Sequence, residues 1–330
     1  MPSFHTATVT EVLAERDGLQ RVDTDAGRAY VLTQLVGAVA VGDRVVLNTT
    51  AVELGLGTGG WHVVHWNLER DELVQPGPGH IMKVRYTSLQ CDTGAAEEAH
   101  EVPADLRGTP VVVGTLHSQV PIVAATFLDR RPDARVAYVM TDGAALPLAL
   151  SDLVVAMRDA GLVHGTVTAG HAFGGDLEAV SVPSALALAV HALDADLVIV
   201  AMGPGVVGTG AALGTTAVEA AAVLDAASAL GGRPILCARA SAADVRPRHR
   251  GVSHHVETVL RLTRSRVEVG VVPGAELVDA RHDVQPVDVP DVPALLAQRG
   301  VEVRSMGRGP ADDPLFYAAA GAAGVLAARR

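Results

Sequence analysis

The run Arg246-Pro-Arg248-His249-Arg250-Gly251-Val252-Ser253-His254-His255 is the densest collection of chemistry-bearing side chains in the sequence. Ser253 can cap a helix whose apolar stripe is Val256, Val259 and Leu260, which places His254 and His255 in its first turn. The helix dipole disfavours imidazolium at that end, so both rings are expected to be neutral. A neutral imidazole can bind a metal or polarise a carbonyl or phosphoryl oxygen. Arg246, Arg248 and Arg250 can grip a phosphate or carboxylate through paired N–H bonds. The plainer alternative is that these histidines and arginines only make interdomain hydrogen bonds.

Other polar loops follow apolar runs: His117-Ser118-Gln119, Thr141-Asp142-Gly143, His171-Ala172-Phe173-Gly174-Gly175-Asp176, and the loop from Gly203 to Gly210. Together with Arg239 to His255 they predict one convergent pocket, in which Asp142, Asp176 or His254 transfers protons and His117, Phe173 and His255 meet the ligand. His117, His171, Asp176, His249, His254 and His255 are the candidate metal ligands, although no HExxH or CxxC spacing accompanies them.

Gly203-x-Gly205-x-x-Gly208 satisfies the dinucleotide fingerprint formally, yet Thr216-Ala217-Val218-Glu219 reads as a capping box that starts the helix well beyond the glycines. No Gly-Lys-Ser/Thr follows, so a Walker A loop is excluded. What remains is a loop whose amides could line an anion nest, or glycines that allow close packing.

Lys83 is the single lysine beside 25 arginines, and in an extended His80–Thr87 segment it shares a face with Arg85. Two cations on one face seek an anion, and a lone lysine suggests a point charge that Arg cannot supply. Phe173 among glycines could stack on a base or sugar, though burial is the commoner fate of such a ring. Cys91 lacks a histidine nearby in sequence, and Cys237 falls inside an apolar run that reads as core.

The elements that must position these residues fall into two classes. Residues 1–66 read as short strands separated by Asp17-Gly18, Asp25-Ala26-Gly27 and Gly42-Asp43, the pattern of a small OB or SH3-like β-barrel. Residues 67–109 form a connecting segment with the basic strand. From residue 110 to 330, apolar strands alternate with helices, which predicts a doubly wound, mostly parallel α/β domain. The strands are expected at 110–114, 135–140, 164–168, 196–202, 233–238, 266–271 and 301–304, with a proline-spaced linker over 284–292. Gly231 stops one helix, and Asp313-Pro314 opens the last. Ligands of such sheets bind beyond the carboxyl ends of the strands, where all five polar loops fall.

With 330 residues and 49% hydrophobic side chains the chain can build a large core, and it is not a disordered class. Two cysteines, no basic and apolar leader, and five glycines breaking the uncharged stretch 197–218 predict a cytoplasmic protein that does not span a membrane. A net charge of −11 argues against nucleic acid as partner, and the barrel segment itself holds four arginines against seven acidic residues. The exception is residues 233–266, where eight arginines face only Asp244 and Glu257. A basic island on an acidic chain suits a small anionic ligand. Homo-oligomerisation is left open by composition.

His80-Ile-Met-Lys-Val-Arg-Tyr-Thr, His117-Ser-Gln, Thr141-Asp-Gly, Ala172-Phe-Gly-Gly-Asp, Met202-Gly-Pro-Gly-Val-Val-Gly-Thr-Gly and Arg248-His-Arg-Gly-Val-Ser-His-His together resemble the bacterial family known as domain of unknown function 3866. The resemblance covers nearly the whole chain. It implies a bacterial origin and supplies no activity, cofactor or catalytic residue. Three functions are therefore weighed on the residues: an enzyme acting on a small phosphorylated or nucleotide-like substrate, a metal-dependent hydrolase, and a non-catalytic metabolite sensor or scaffold.

Overall fold

The computed structural model describes residues 2–329, and the chain divides into two compact units, Met1–Gly94 and Ala95–Arg330. The expected connecting segment 67–109 is thus shared between them.

In the first unit, β1 (Phe4–Arg16), β2 (Leu19–Thr24), β3 (Ala29–Val31), β4 (Arg44–Asn48) and β5 (His62–Asn67) close a barrel in the order β1-β2-β3-β5-β4. Two single-turn helices, α1 (Thr33–Val36) and α2 (Thr50–Glu53), sit in its connections. Alternation places Val9, Val22, Val31, Val45, Leu47 and Val64 in one interior cluster, as period-2 strands require. Trp61 precedes β5 and stacks on Tyr30 with ring centroids 4.8 Å apart, a packing role that needs no ligand. Beyond the barrel, β6 (Met82–Lys83) pairs with β7 (Cys91–Asp92). The segment is not extended through Thr87: β6 ends at Lys83, and Val84 and Tyr86 adopt φ of 51° and 62°. Lys83 is buried and Arg85 exposed, so the two cations do not share a face.

The second unit is one parallel sheet clothed by helices. Its elements run β8 (Pro110–Val113), α3 (Val120–Arg130), β9 (Val136–Thr141), α4 (Asp152–Asp159), β10 (Gly165–Ala169), β11 (Leu177–Ala179), α5 (Val182–His191), β12 (Leu197–Met202), α6 (Glu219–Ala229), β13 (Arg233–Leu236), β14 (Ala240–Ser241), β15 (Gly251–Val252), α7 (His254–Leu262), β16 (Glu268–Val271), β17 (Asp283–Pro286), α8 (Val292–Gln298) and α9 (Pro314–Ala328). The sheet order is β11-β10-β9-β12-β8-β13-β16-β17, and every pairing is parallel. Central strands such as Leu197–Met202 are buried at every residue because both faces are covered. Val112, Tyr138, Ile199 and Ile235 face a cluster with α3, α4, α8 and α9; Val111, Val139, Val200 and Leu236 face one with α5, α6 and α7.

The chain leaves β8 and β9 toward the first helical layer and leaves β12 and β13 toward the second. Strands of the two kinds are neighbours at β9/β12, β12/β8 and β8/β13, which makes these the topological switch points of the sheet. That is where this architecture can hold a ligand.

Three expectations are corrected. Residues 301–304 form no strand; Val301 and Val303 are buried, but the backbone joins no ladder. The eighth strand is instead β17, inside the stretch read as a linker, where an edge position tolerates Pro286. Thr215 caps the single turn Thr216–Val218 that leads into α6, its side chain accepting from the Ala217 amide, while α6 itself starts at Glu219 after Val218 with no side-chain cap; the Glu219 carboxylate accepts from the Thr141 hydroxyl rather than closing a capping box. Among the described residues no helix is long and apolar enough to cross a membrane.

Candidate functional site

The carboxyl end of β13 delivers Arg239, and the following residues fold back as the β14–β15 hairpin, whose long connection spans residues 242–250. Gly251 takes φ of +63° with open space where a Cβ would stand, so backbone conformation alone calls for glycine there. Ser253 then caps α7 as expected, its hydroxyl accepting the His255 amide at 3.3 Å and sharing a 2.7 Å hydrogen bond with His249 Nδ1. One serine therefore starts the helix and orients a ring.

Three histidines meet in this corner. His249 and His255 are 2% and 5% exposed, and His254 is half-buried. Ring centroids lie 5.0 Å apart for His249–His254 and His249–His255, and 4.4 Å for His254–His255. Burial, then Arg239 and Arg246, push the His249 imidazole down to about 3. Burial and Arg239 push His255 to about 4, and burial with Arg248 lowers His254. The charged form is disfavoured on all three rings; the helix-end argument expected this of His254 and His255, and desolvation and neighbouring cations are the chief causes.

The cations have their own carboxylates. Asp244, 1% exposed, accepts from Arg246 at 2.8 Å and faces Arg308 at 3.4 Å and Arg239 at 3.6 Å; Arg250 Nε donates to its backbone carbonyl at 3.0 Å. Arg308 also reaches Asp313 at 3.2 Å, and Asp313 accepts from Ser241 and the Ala242 amide. The Arg246 hydrogen bonds hold the Asp244 carboxyl far below the ordinary range. Arg239, 3% exposed, is lowered to about 10 by burial and by Arg246, with the Asp244 charge opposing. Arg248 is exposed.

A second polar group lies at the ends of β9 and β12. Asp142 accepts the His171 amide at 3.0 Å, and a Cβ on Gly170 would meet its Oδ2 at 2.5 Å, so the loop closes tightly over the carboxylate. Burial, reinforced by the Asp142 charge, raises the Glu219 carboxyl, which bonds Thr141. The loop from Gly203 to Thr216 spends several amides on itself: Thr209 donates to Gly214, Thr216 to Val207, and Val207 to the Thr216 hydroxyl. Gly203 is buried under Ala145, Gly205 has φ of +97° in open space, and Gly208 bridges to Thr215. The turn Thr216–Val218 packs against α7, which joins the two polar groups along one edge.

Several candidates lie elsewhere or are already engaged. Both ring nitrogens of His117 are bonded, Nδ1 to the Tyr138 hydroxyl at 3.0 Å and Nε2 to the Ser151 hydroxyl at 2.7 Å, and burial lowers it to about 4. Phe173 is 2% exposed, its backbone pairing with Leu146 and Leu148, so its ring presents no stacking face. Asp176 precedes β11, which pairs parallel to β10 and so begins back toward the amino end of the sheet. There it binds Arg158 at 2.8 Å and Thr166, away from the carboxyl edge. Lys83 and Arg85 belong to the first unit. The edge also holds residues that the sequence did not single out for it: Glu219, Asp244, Arg308 and Asp313. Only Asp244 had a local signal, its spacing two residues before Arg246.

Among the described residues, His249, His254 and His255 are the one group of three histidine, cysteine or carboxylate side chains close enough to share an ion, their ligand atoms lying within 4.8 Å of one another.

Comparison with known proteins places these residues in a family. The chain matches the profile described as protein of unknown function (DUF3866) over residues 28–324, nearly its whole length, and belongs to that family. No curated protein matches, and no solved structure matches.

Proposed function

We propose that this member of the DUF3866 family binds a small anionic ligand, phosphorylated or nucleotide-like, at the carboxyl edge of its parallel sheet, in the corner between residues 239–255 and the start of α7. One observation carries this reading: Arg239, Arg246, Arg248, Arg250 and Arg308 gather around two carboxylates, Asp244 and Asp313. Cations in such excess repel one another, and among the described residues the buried Arg239 pairs only with an Asp244 oxygen 3.6 Å away that Arg246 and Arg308 share. A bound anion relieves that imbalance, and Arg248, exposed and close enough to depress Arg239, is the arm able to close on it. The N-terminal end of α7 adds a favourable dipole.

The test is a thermal-shift panel of inorganic phosphate, pyrophosphate, nucleoside phosphates and sugar phosphates, in low salt with a chelator present. At least one compound should raise the melting temperature by several degrees, since a hundredfold excess over Kd adds about 2.7 kcal/mol. Arg248→Ala should abolish the response, whereas Arg130→Ala, on the far end of α3, should retain it. A flat panel overturns the reading, as does an unchanged response in the Arg248 variant.

A further inference from the structure

We propose that His249, His254 and His255 form a binding site for one zinc-class divalent metal ion, with a fourth coordination position left for water or an anion. The inference goes beyond the anion reading and does not depend on it, because it rests on different atoms.

Two unmet ring nitrogens point to a ligand. His254 Nε2 and His255 Nδ1 are buried and have no hydrogen-bond partner, and the His255 side chain is 95% removed from solvent. A buried polar atom left without a partner forfeits its hydration with nothing in return. Here two such atoms lie on adjacent residues beside a third buried imidazole, whose ring centroid is 5.0 Å from each of theirs. A metal ion satisfies all three lone pairs at once.

The surroundings fit that ion in two ways. His249 has its Nδ1 on the Ser253 hydroxyl, which leaves Nε2 for the metal, the usual arrangement in which a hydrogen bond on one nitrogen fixes the orientation of the other. The cluster sits at the start of a nine-residue helix and the end of a hairpin, so the rings come from two independently braced segments.

Distances and ligand type narrow the ion. Tetrahedral zinc with bonds of about 2.0–2.1 Å sets its nitrogens roughly 3.4 Å apart. The present separations, up to 4.8 Å, must contract toward that spacing when an ion binds. An all-imidazole set suits Zn2+ and Co2+ and offers nothing to Mg2+ or Ca2+, which take oxygen ligands. Three neutral ligands leave the ion's charge uncompensated beside Arg239 and Arg248, which favours an anion in the fourth position.

Full-length protein stripped by chelator and returned to phosphate-free buffer should take up one equivalent of Zn2+ by elemental analysis, and Co2+ should give the intense visible band of a four-coordinate site. His254→Ala, at a half-exposed position, and His255→Gln should each lose stoichiometric binding while keeping the native circular dichroism. Ser253→Ala should weaken it about ten- to a hundredfold. His191→Ala, at the end of α5 and outside the cluster, should bind as the parent does. Absence of Co2+ or Zn2+ uptake by the parent protein overturns the site, and so does full binding by His254→Ala. The thermal-shift panel is run with chelator, so either proposal can fail while the other stands.

Discussion

Asp244 shows how one buried carboxylate can organise a site. It is 1% exposed and faces Arg239, Arg246 and Arg308, so its loss leaves Arg239 buried without a counter-charge. Breaking such a pair by removing one partner costs about 3–5 kcal/mol, whereas a surface pair is worth far less. Asp244→Asn is therefore expected to lower unfolding free energy by roughly 3 kcal/mol at neutral pH. The pH dependence has a definite sign. The folded carboxyl lies well below the unfolded value near 4, so its contribution is complete above that value and is lost as pH falls through the depressed one. The gap between parent and variant in chemical denaturation should thus narrow as the buffer is acidified; a gap constant with pH would show that the charge is not what Asp244 contributes. The same residues show where sequence reading stops. His249, His254 and His255 were legible as a group because they are near neighbours in the chain. Arg308 and Asp313 reach the corner only through tertiary folding, and His117 is satisfied by Tyr138 and Ser151 from other elements.

The elements that carry the site are held by a close helix pair. α3 and α9 approach so nearly that a Cβ on Gly324 would stand 2.1 Å from Thr126 Oγ1 and 2.3 Å from the Val123 carbonyl, while Thr126 donates to the Gly321 carbonyl at 3.1 Å. The backbone carbonyl cannot swing aside as a side-chain tip could. Gly324→Ala gains at most about 1 kcal/mol in helix propensity but forces the helices apart, at a cost of about 1–3 kcal/mol or more. A thermal melt should show it destabilised, while Gly210→Ala, where a Cβ meets open space, should melt with the parent. Equal melting of both variants would deny that the contact is tight. Element boundaries were legible where apolar runs are long, as in Val136–Thr141 and Leu197–Met202. They failed at the sheet margins: β11 has only three residues, and β17 carries a proline because its outer edge needs no ladder donor. Val301 and Val303 alternate like a strand because they pack on the core, where the Val303 carbonyl accepts from Tyr317.

For the whole molecule, the barrel and the parallel sheet were both readable from pattern alone, since period-2 alternation and long buried runs follow directly from one-sided and two-sided burial. What pattern could not supply is the distribution of charge in space. The chain carries −11 overall, yet its five clustered arginines make a local positive corner. On the proposed reading a small anion needs only that corner, whereas a polyanion would have to span more of a chain whose net charge is −11. Small-anion binding should therefore weaken as sodium chloride is raised from about 0.01 M, where the Debye length is ~30 Å, to 1 M, where it is ~3 Å. Duplex DNA should not bind at either salt, because neutralising a row of phosphates needs a basic stripe rather than one corner. Fluorescence anisotropy with a labelled duplex, run beside the phosphate titration, separates the cases. Duplex binding with a steep salt slope would mean that the positive corner extends into a track, and would replace the small-anion reading with a nucleic-acid one.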